Sequence, residues 1–286
     1  MPIRIKSRPP AVAGAFYEGT PESLRRQIEE CFLHPLGPGA LPKVNREGPR
    51  RIIGLICPHA GYMYSGPVAA HAYHALASDG VPDVVVVLGP NHYGIGSPLA
   101  IMNQGHWETP LGEVSIDEDV ANAIVEYSGI IEVDDVAHMR EHSIEVQLPF
   151  LQYLYGDSFR FVPITMLMQD LESSRIVGRA IAKAIEDLNA VIIASTDFTH
   201  YEPQENAERK DQEAIKRILA LDPEGLVSVV NNLAISMCGV GPVIAMLTAC
   251  KELGATTCVL LKYATSGDVT GDYTSVVGYG ALSVLK

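Results

Sequence analysis

Two runs, Val84-Val85-Val86-Val87-Leu88 and Val191-Ile192-Ile193-Ala194, are apolar at every position. A strand with one face in water alternates apolar with polar residues, so runs of this kind belong in the middle of a sheet that is covered on both faces. That requirement points to the α/β class, in which helices pack over a sheet. The remaining chain supplies the parts. Short apolar runs at 51–57, 83–89, 159–167, 190–195, 257–264 and 275–282 read as strands, and segments of helical period at 21–32, 67–77, 117–127, 171–187, 206–220 and 241–253 read as helices. The connections contain no Ser/Gly-rich linker, repeat or low-complexity tract, so the expectation is one domain over residues 1–286.

Composition narrows the function classes. Hydrophobic residues make up 47% of the chain and charged residues 19%, a balance that supports a large core rather than disorder. The formal charge of −13, with a pI near 5.1, repels phosphate backbones and anionic lipid. Arg25-Arg26 and Arg50-Arg51 are isolated pairs rather than a basic patch, so neither nucleic acid nor a membrane is an expected partner. Cys31, Cys57, Cys238, Cys250 and Cys258 form an odd set without CxxC spacing, which argues against a disulfide scaffold and for a reducing cytoplasm. The basic opening MPIRIKSRPP lacks an apolar leader core, and no stretch approaches the roughly 18 apolar residues that span a bilayer.

The residues just beyond the strands carry the chemistry. The run 51–57 leads into Pro58-His59, the valine run into Gly89-Pro90-Asn91-His92, and the third into Ser195-Thr196-Asp197-Phe198-Thr199-His200. Three strand exits each deliver a histidine, and ligand crevices of α/β sheets lie at the carboxyl ends of strands. Taken singly, each is a loop histidine bonded to backbone; at the ends of two strands expected to be neighbours, His59 and His92 become candidate metal ligands. Cys238, in Ser-Met-Cys-Gly-Val-Gly-Pro before an apolar helix, is a candidate third donor, its thiolate favoured by the helix N-terminus. The other four cysteines sit in apolar runs or on helical faces and read as small core residues. Asp197 and His200 suit a supporting role behind the metal ligands or proton transfer, His200 as base and a nearby carboxylate fixing its tautomer; the alternative is that Asp197 caps the turn after the strand and His200 points to water. The segment from His138 to Glu145 places Met139 where a zinc-protease motif needs Glu. Ser143 there could begin a helix, entered or kinked at Pro149, with Ile144, Leu148, Leu151 and Leu154 as its buried stripe; Glu141 and His142 would then stand at its exposed start, facing the cleft or capping the helix.

With PHAGYMYSG, GPNHYG, ETPLG, EHSIEVQLPFL, STDFTHY and MCGVGP in this order, the chain closely resembles the Memo family, which is similar in fold to the class III extradiol ring-cleaving dioxygenases. The resemblance covers nearly the whole length. It implies a single-domain α/β/α sandwich around a central mixed sheet with one cleft, metal ligands His59, His92 and Cys238, cleft residues Asp197 and His200, and Tyr64 and Phe16 near the mouth, with Glu141 and His142 as further candidates to touch a ligand. In those dioxygenases two histidines and a glutamate hold iron(II). A thiolate in place of the carboxylate is softer, and shifts the expectation toward iron(II) or copper, with zinc as a further option. Three functions are compatible with this resemblance: a metal-dependent oxidoreductase acting on a small molecule, a cleft that binds a peptide or other ligand without turnover, or a metal-handling protein. A homo-oligomer is compatible with all three.

Overall fold

The computed structural model describes residues 6–47 and 49–286; residues 1–5, the start of the basic opening, lie outside it. Among the described residues the strands are β1 (Ser7–Arg8), β2 (Ile52–Cys57), β3 (Val84–Pro90), β4 (Leu99–Ile101), β5 (His106–Thr109), β6 (Gly112–Ser115), β7 (Glu132–Val133), β8 (Arg160–Met166), β9 (Ala190–Ser195), β10 (His200–Glu202), β11 (Thr257–Thr265) and β12 (Val276–Leu285). One mixed sheet has the order β10-β12-β2-β9-β3-β8-β4-β7, with β11 also on β12, and a small sheet has the order β1-β5-β6. The centre of the large sheet, β2, β9, β3 and β8, is parallel. Both runs that are apolar throughout lie there, every residue of β3 and β9 being buried. Antiparallel β12 and β4 flank this centre, so the sheet is mixed, as expected.

The six expected helices are present, as Pro21–Leu33, Tyr62–Asp79, Glu118–Ser128, Leu171–Ile185, Gln204–Leu219 and Val240–Glu252. One starts a full turn earlier than the sequence suggests. Pro67 reads as a helix start, yet it lies inside Tyr62–Asp79. Tertiary bonds secure the first turn ahead of it: the Tyr62 amide donates to the Phe16 carbonyl at 2.7 Å, the Tyr62 hydroxyl to the Val146 carbonyl at 2.6 Å, and Ser65 Oγ to the Ala60 carbonyl at 2.8 Å. These offset the amide bond that proline removes.

Helices Leu171–Ile185 and Val240–Glu252 pack backbone to backbone at Gly178, where an added Cβ would lie 2.4 Å from the Ala245 carbonyl oxygen. Backbone cannot yield as a flexible side chain does. Gly178→Ala is therefore expected to destabilise the protein by about 1–3 kcal/mol, read from urea unfolding; an unchanged midpoint would mean that the helices separate freely there.

The stretch around Ser143 differs from its reading. It forms two 3-10 turns, Val136–His138 and Glu145–Gln147, and the α-helix begins only at Leu148, with Pro149 in the first turn where its missing N–H costs nothing. Ile144, Leu148, Leu151 and Leu154 are buried as expected, but Glu141 does not stand at an exposed start: it is 1% exposed.

Candidate metal centre and cleft

Register brings the strand exits level. Cys57 pairs with Ser195 and Leu88 with Ala194, so β2 and β3 both border β9 and not each other. The expectation of adjacent strands for His59 and His92 is thus corrected: β9 lies between them and contributes Ser195 and Asp197 to the gap. The His59 and His92 rings nevertheless meet, their centroids 5.2 Å apart. Cys238 reaches them from the loop before Val240–Glu252. Gly239 allows this, since a Cβ there would fall 2.5 Å from the Ser195 carbonyl oxygen, and its amide donates to Thr196 Oγ1 at 2.9 Å. Cys238 Sγ then stands 3.2 Å from His59 Nε2 and accepts the Asp197 amide at 3.2 Å. One donor atom from each of His59, His92 and Cys238 lies within 4.8 Å of the others, a group that could hold a metal ion.

Hydrogen-bond logic assigns the tautomers. The Ser195 hydroxyl donates its one proton to the Ser143 carbonyl at 2.6 Å, so it must accept from His59 Nδ1–H at 2.9 Å. His92 Nδ1 faces Glu141 Oε1 at 2.9 Å, a carboxylate that can only accept. Each ring is thereby left with the Nε2 lone pair free, the arrangement metal-bound imidazoles adopt. His200 obeys the same rule: its Nδ1 donates to the carbonyls of Phe198 and Ser236, at 2.7 and 2.9 Å. Backbone carbonyls, not the Asp197 carboxylate, thus fix the His200 tautomer. Asp197 instead secures the His59 loop, its Oδ1 accepting the His59 amide at 2.8 Å.

A second group within the same distance limit is His92, Glu141 and His142. Its carboxylate is already engaged: Glu141 Oε1 accepts from His92 Nδ1 and from the amides of His142 and Ser143, each at 2.9 Å, and Oε2 from the His92 amide at 2.6 Å. Glu141 therefore orients His92 from behind and does not line the cavity, contrary to its expected contact with a ligand.

Burial shapes the charges. It pushes the His59 imidazole far below its ordinary range, helped by the neighbouring histidines, and brings His142 down to about 4, so both rings are neutral at pH 7. Burial alone would raise the Glu141 carboxyl, but the bonds and charge at His92 and His142 bring it down to about 2. Asp197 is raised to about 6 by burial against the pull of the His59 amide and the His200 and His92 rings. The Cys238 thiol is pushed up by burial and by the Asp197 carboxylate, which overturns the expectation that the helix end favours its thiolate. A bound cation reverses that balance, because a coordinated thiol gives up its proton.

Above these residues opens a cavity of about 660 Å³, the size of small-molecule sites. His59, His92, Asp197, His200, His142, Phe16 and Tyr64 all line it; of the expected site residues Glu141 and Cys238 do not, Cys238 standing behind His59 with Sγ 3.2 Å from its Nε2. The Phe16 and His142 rings are in contact, with centroids 4.6 Å apart. Sequence reasoning missed the residues that hold the rings: Ser195, and Gln147, whose amide donates to Ser195 Oγ at 2.8 Å and to the Pro58 carbonyl at 3.0 Å. Their position beside Asp197 and within EHSIEVQ was the available signal. Cys31, Cys57 and Cys250 are buried core residues as expected, while Cys258 is only partly covered.

A mixed α/β sheet whose parallel strand ends gather two imidazoles and a thiol beside a cavity defines a protein with a candidate metal cleft. The chain belongs to the Memo family: residues 8–283 match the family described as Memo-like protein. Among its relatives, a MEMO1 family protein of Methanopyrus kandleri is 57% identical over 277 residues, spanning 96% of this chain and 98% of that one. A MEMO1 family protein of Methanothermobacter thermautotrophicus is 59% identical over 278 residues, spanning 96% and 99%. The fold is also similar to that of an uncharacterized protein of Escherichia coli K12, with a TM-score of 0.58 at 14% identity over 81% of this chain and 99% of that one. No helix among the described residues is long and apolar enough to cross a membrane.

Proposed function

We propose that this protein is a metal-dependent oxidoreductase of the extradiol type, holding iron(II) or copper with His59, His92 and Cys238 and taking a small phenolic molecule into the cavity beside them. The observation that carries this reading is the donor set. Three donor atoms lie within 4.8 Å of one another, and both imidazoles have Nδ1 committed to a hydrogen bond, so that Nε2 is left to bind. Two nitrogens and a sulfur leave coordination positions open, as a catalytic site requires. When bound, the metal supplies a Lewis-acidic, redox-active centre for oxidation of the phenol by dioxygen.

The chain's own residues do the rest. Phe16 and Tyr64 line the cavity as apolar walls for an aromatic ring. His200, with Nδ1–H shared between two carbonyls, presents Nε2 as a base for a substrate hydroxyl proton and can return that proton to product. His142, neutral in its buried setting, offers a hydrogen-bonding imidazole on the same cavity wall. Asp197 keeps the His59 loop in place through the His59 amide.

Elemental analysis of protein purified without air tests the ligand assignment. The native chain is expected to carry close to one metal per chain, and Cys238→Ala and His59→Ala to lose most of it, because two remaining protein donors hold an ion poorly. Undiminished metal in both variants would refute the assignment. Oxygen uptake with a panel of catechols tests the reaction itself.

A further inference from the structure

We propose that the cleft selects aromatic ligands bearing a positive charge at the end away from the metal residues, a phenolic amine in preference to a phenolic acid. This rests on the preceding reading of the cleft as a phenol site and adds the nature of the substituent.

The cavity has a direction. His59 and Asp197 are 2% and 4% exposed and form its floor, whereas Tyr201 is 77% exposed and Asp272 is also exposed, so these two stand at the mouth. Among the described residues no lysine or arginine lines it; the charged side chain at the rim is Asp272. Its Oδ1 is held by the Thr274 amide at 3.0 Å and the Thr274 hydroxyl at 2.6 Å, which gives the carboxylate a set direction. A carboxylate on the ligand would therefore enter past a fixed negative charge with no cation to meet it, on a protein whose formal charge is −13.

Tyr201 adds an independent observation. Neighbouring residues of a regular strand point to opposite faces, yet His200 and Tyr201 both line this cavity, their ring centroids 5.8 Å apart. The cause is a register shift against β12 between His200 and Glu202, with Tyr201 held at φ 59°, a left-handed conformation unusual for a side chain of this size. Strain of this kind is retained at ligand-binding positions. The result is an aromatic ring and a carboxylate that both line the mouth of one cavity, and each attracts a cation, the ring by its π face and the carboxylate by its charge.

Calorimetric titration of zinc-loaded protein, in which catechols are not oxidised, tests this with three probes that share a ring and differ in end charge: dopamine, 4-ethylcatechol and 3,4-dihydroxyphenylacetate. Dopamine is expected to bind tightest and the acid weakest. Asp272→Asn should cost dopamine about three- to fivefold in affinity, the scale of one solvent-exposed charge pair, and leave 4-ethylcatechol within about twofold. Tyr201→Ala should weaken dopamine more than 4-ethylcatechol, and 0.5 M salt should narrow the gap between amine and acid. Equal binding of the three probes, or a dopamine affinity that Asp272→Asn leaves unaltered, overturns the charge preference while the phenol site stands. If none binds to fully zinc-loaded protein, the phenol site itself fails and the preference falls with it.

Discussion

Arg8→Ala is expected to cost about 3–5 kcal/mol of folding stability, the range for stranding one member of a buried ion pair. Arg8 and Glu145 are both fully buried and paired through Nη1. The guanidinium does more than neutralise the acid. Its Nε and Nη2 donate to the His138 carbonyl at 3.0 and 2.9 Å, Nη2 donates to the Glu141 carbonyl at 2.6 Å, and its Cζ lies 4.2 Å from the Trp107 ring centre. Glu145 in turn accepts from the amides of Ala11 and Val12, at 2.8 and 3.1 Å, and from the Tyr17 hydroxyl at 2.6 Å. Alanine at position 8 leaves a buried carboxylate facing only neutral donors, two carbonyls without their partner, and a cavity against Trp107. Combining Arg8→Met with Glu145→Gln should recover part of the loss, since no charge is then left alone in the core. Urea unfolding of the single and double variants measures both numbers, and a loss below about 1 kcal/mol for Arg8→Ala would show that water reaches the site. The network also fastens the segment bearing Phe16 to the one bearing Glu141, so its failure should reach the cleft.

The parts of this fold legible in the sequence are those whose signal is local. Val84 to Leu88 and Val191 to Ala194 announce central strands because burial on both faces leaves no room for a polar residue. His59, His92 and Cys238 stand out because turn-forming glycines and prolines surround them at strand and helix ends. Other features are set by contacts between distant segments. Strands β4 to β7 have two to four residues, too few for periodicity to register. Nothing near Pro67 reveals that Phe16 and Val146 will hold the preceding turn in a helix. The Cys238 thiol departs from its expected state because the helix end is visible in the sequence, while burial and the Asp197 carboxylate, 41 residues away, are not. Arg8 and Glu145 give no local sign of their pairing for the same reason: 137 residues separate them.

Glu141→Gln is expected to lower metal affinity by about 10- to 100-fold, the usual cost of removing the carboxylate behind a metal-bound histidine. In the native chain four N–H groups converge on this one side chain, two of them from His92. A carboxylate can accept all four, whereas an amide must turn its NH2 toward some of these donors, which frees the His92 ring to rotate or change tautomer. Competition against a calibrated chelator gives the affinity, and thermal unfolding of the metal-free variant separates loss of orientation from loss of fold. The same variant distinguishes the two groups that share His92. If the metal sits among His92, Glu141 and His142, then Glu141→Gln and His142→Ala should abolish binding and Cys238→Ala should leave it intact. If it sits among His59, His92 and Cys238, then Cys238→Ala should be the most damaging of the three, and Glu141→Gln should weaken the site without abolishing it. A folded Glu141→Gln protein with undiminished affinity would mean that His92 takes its orientation from packing alone.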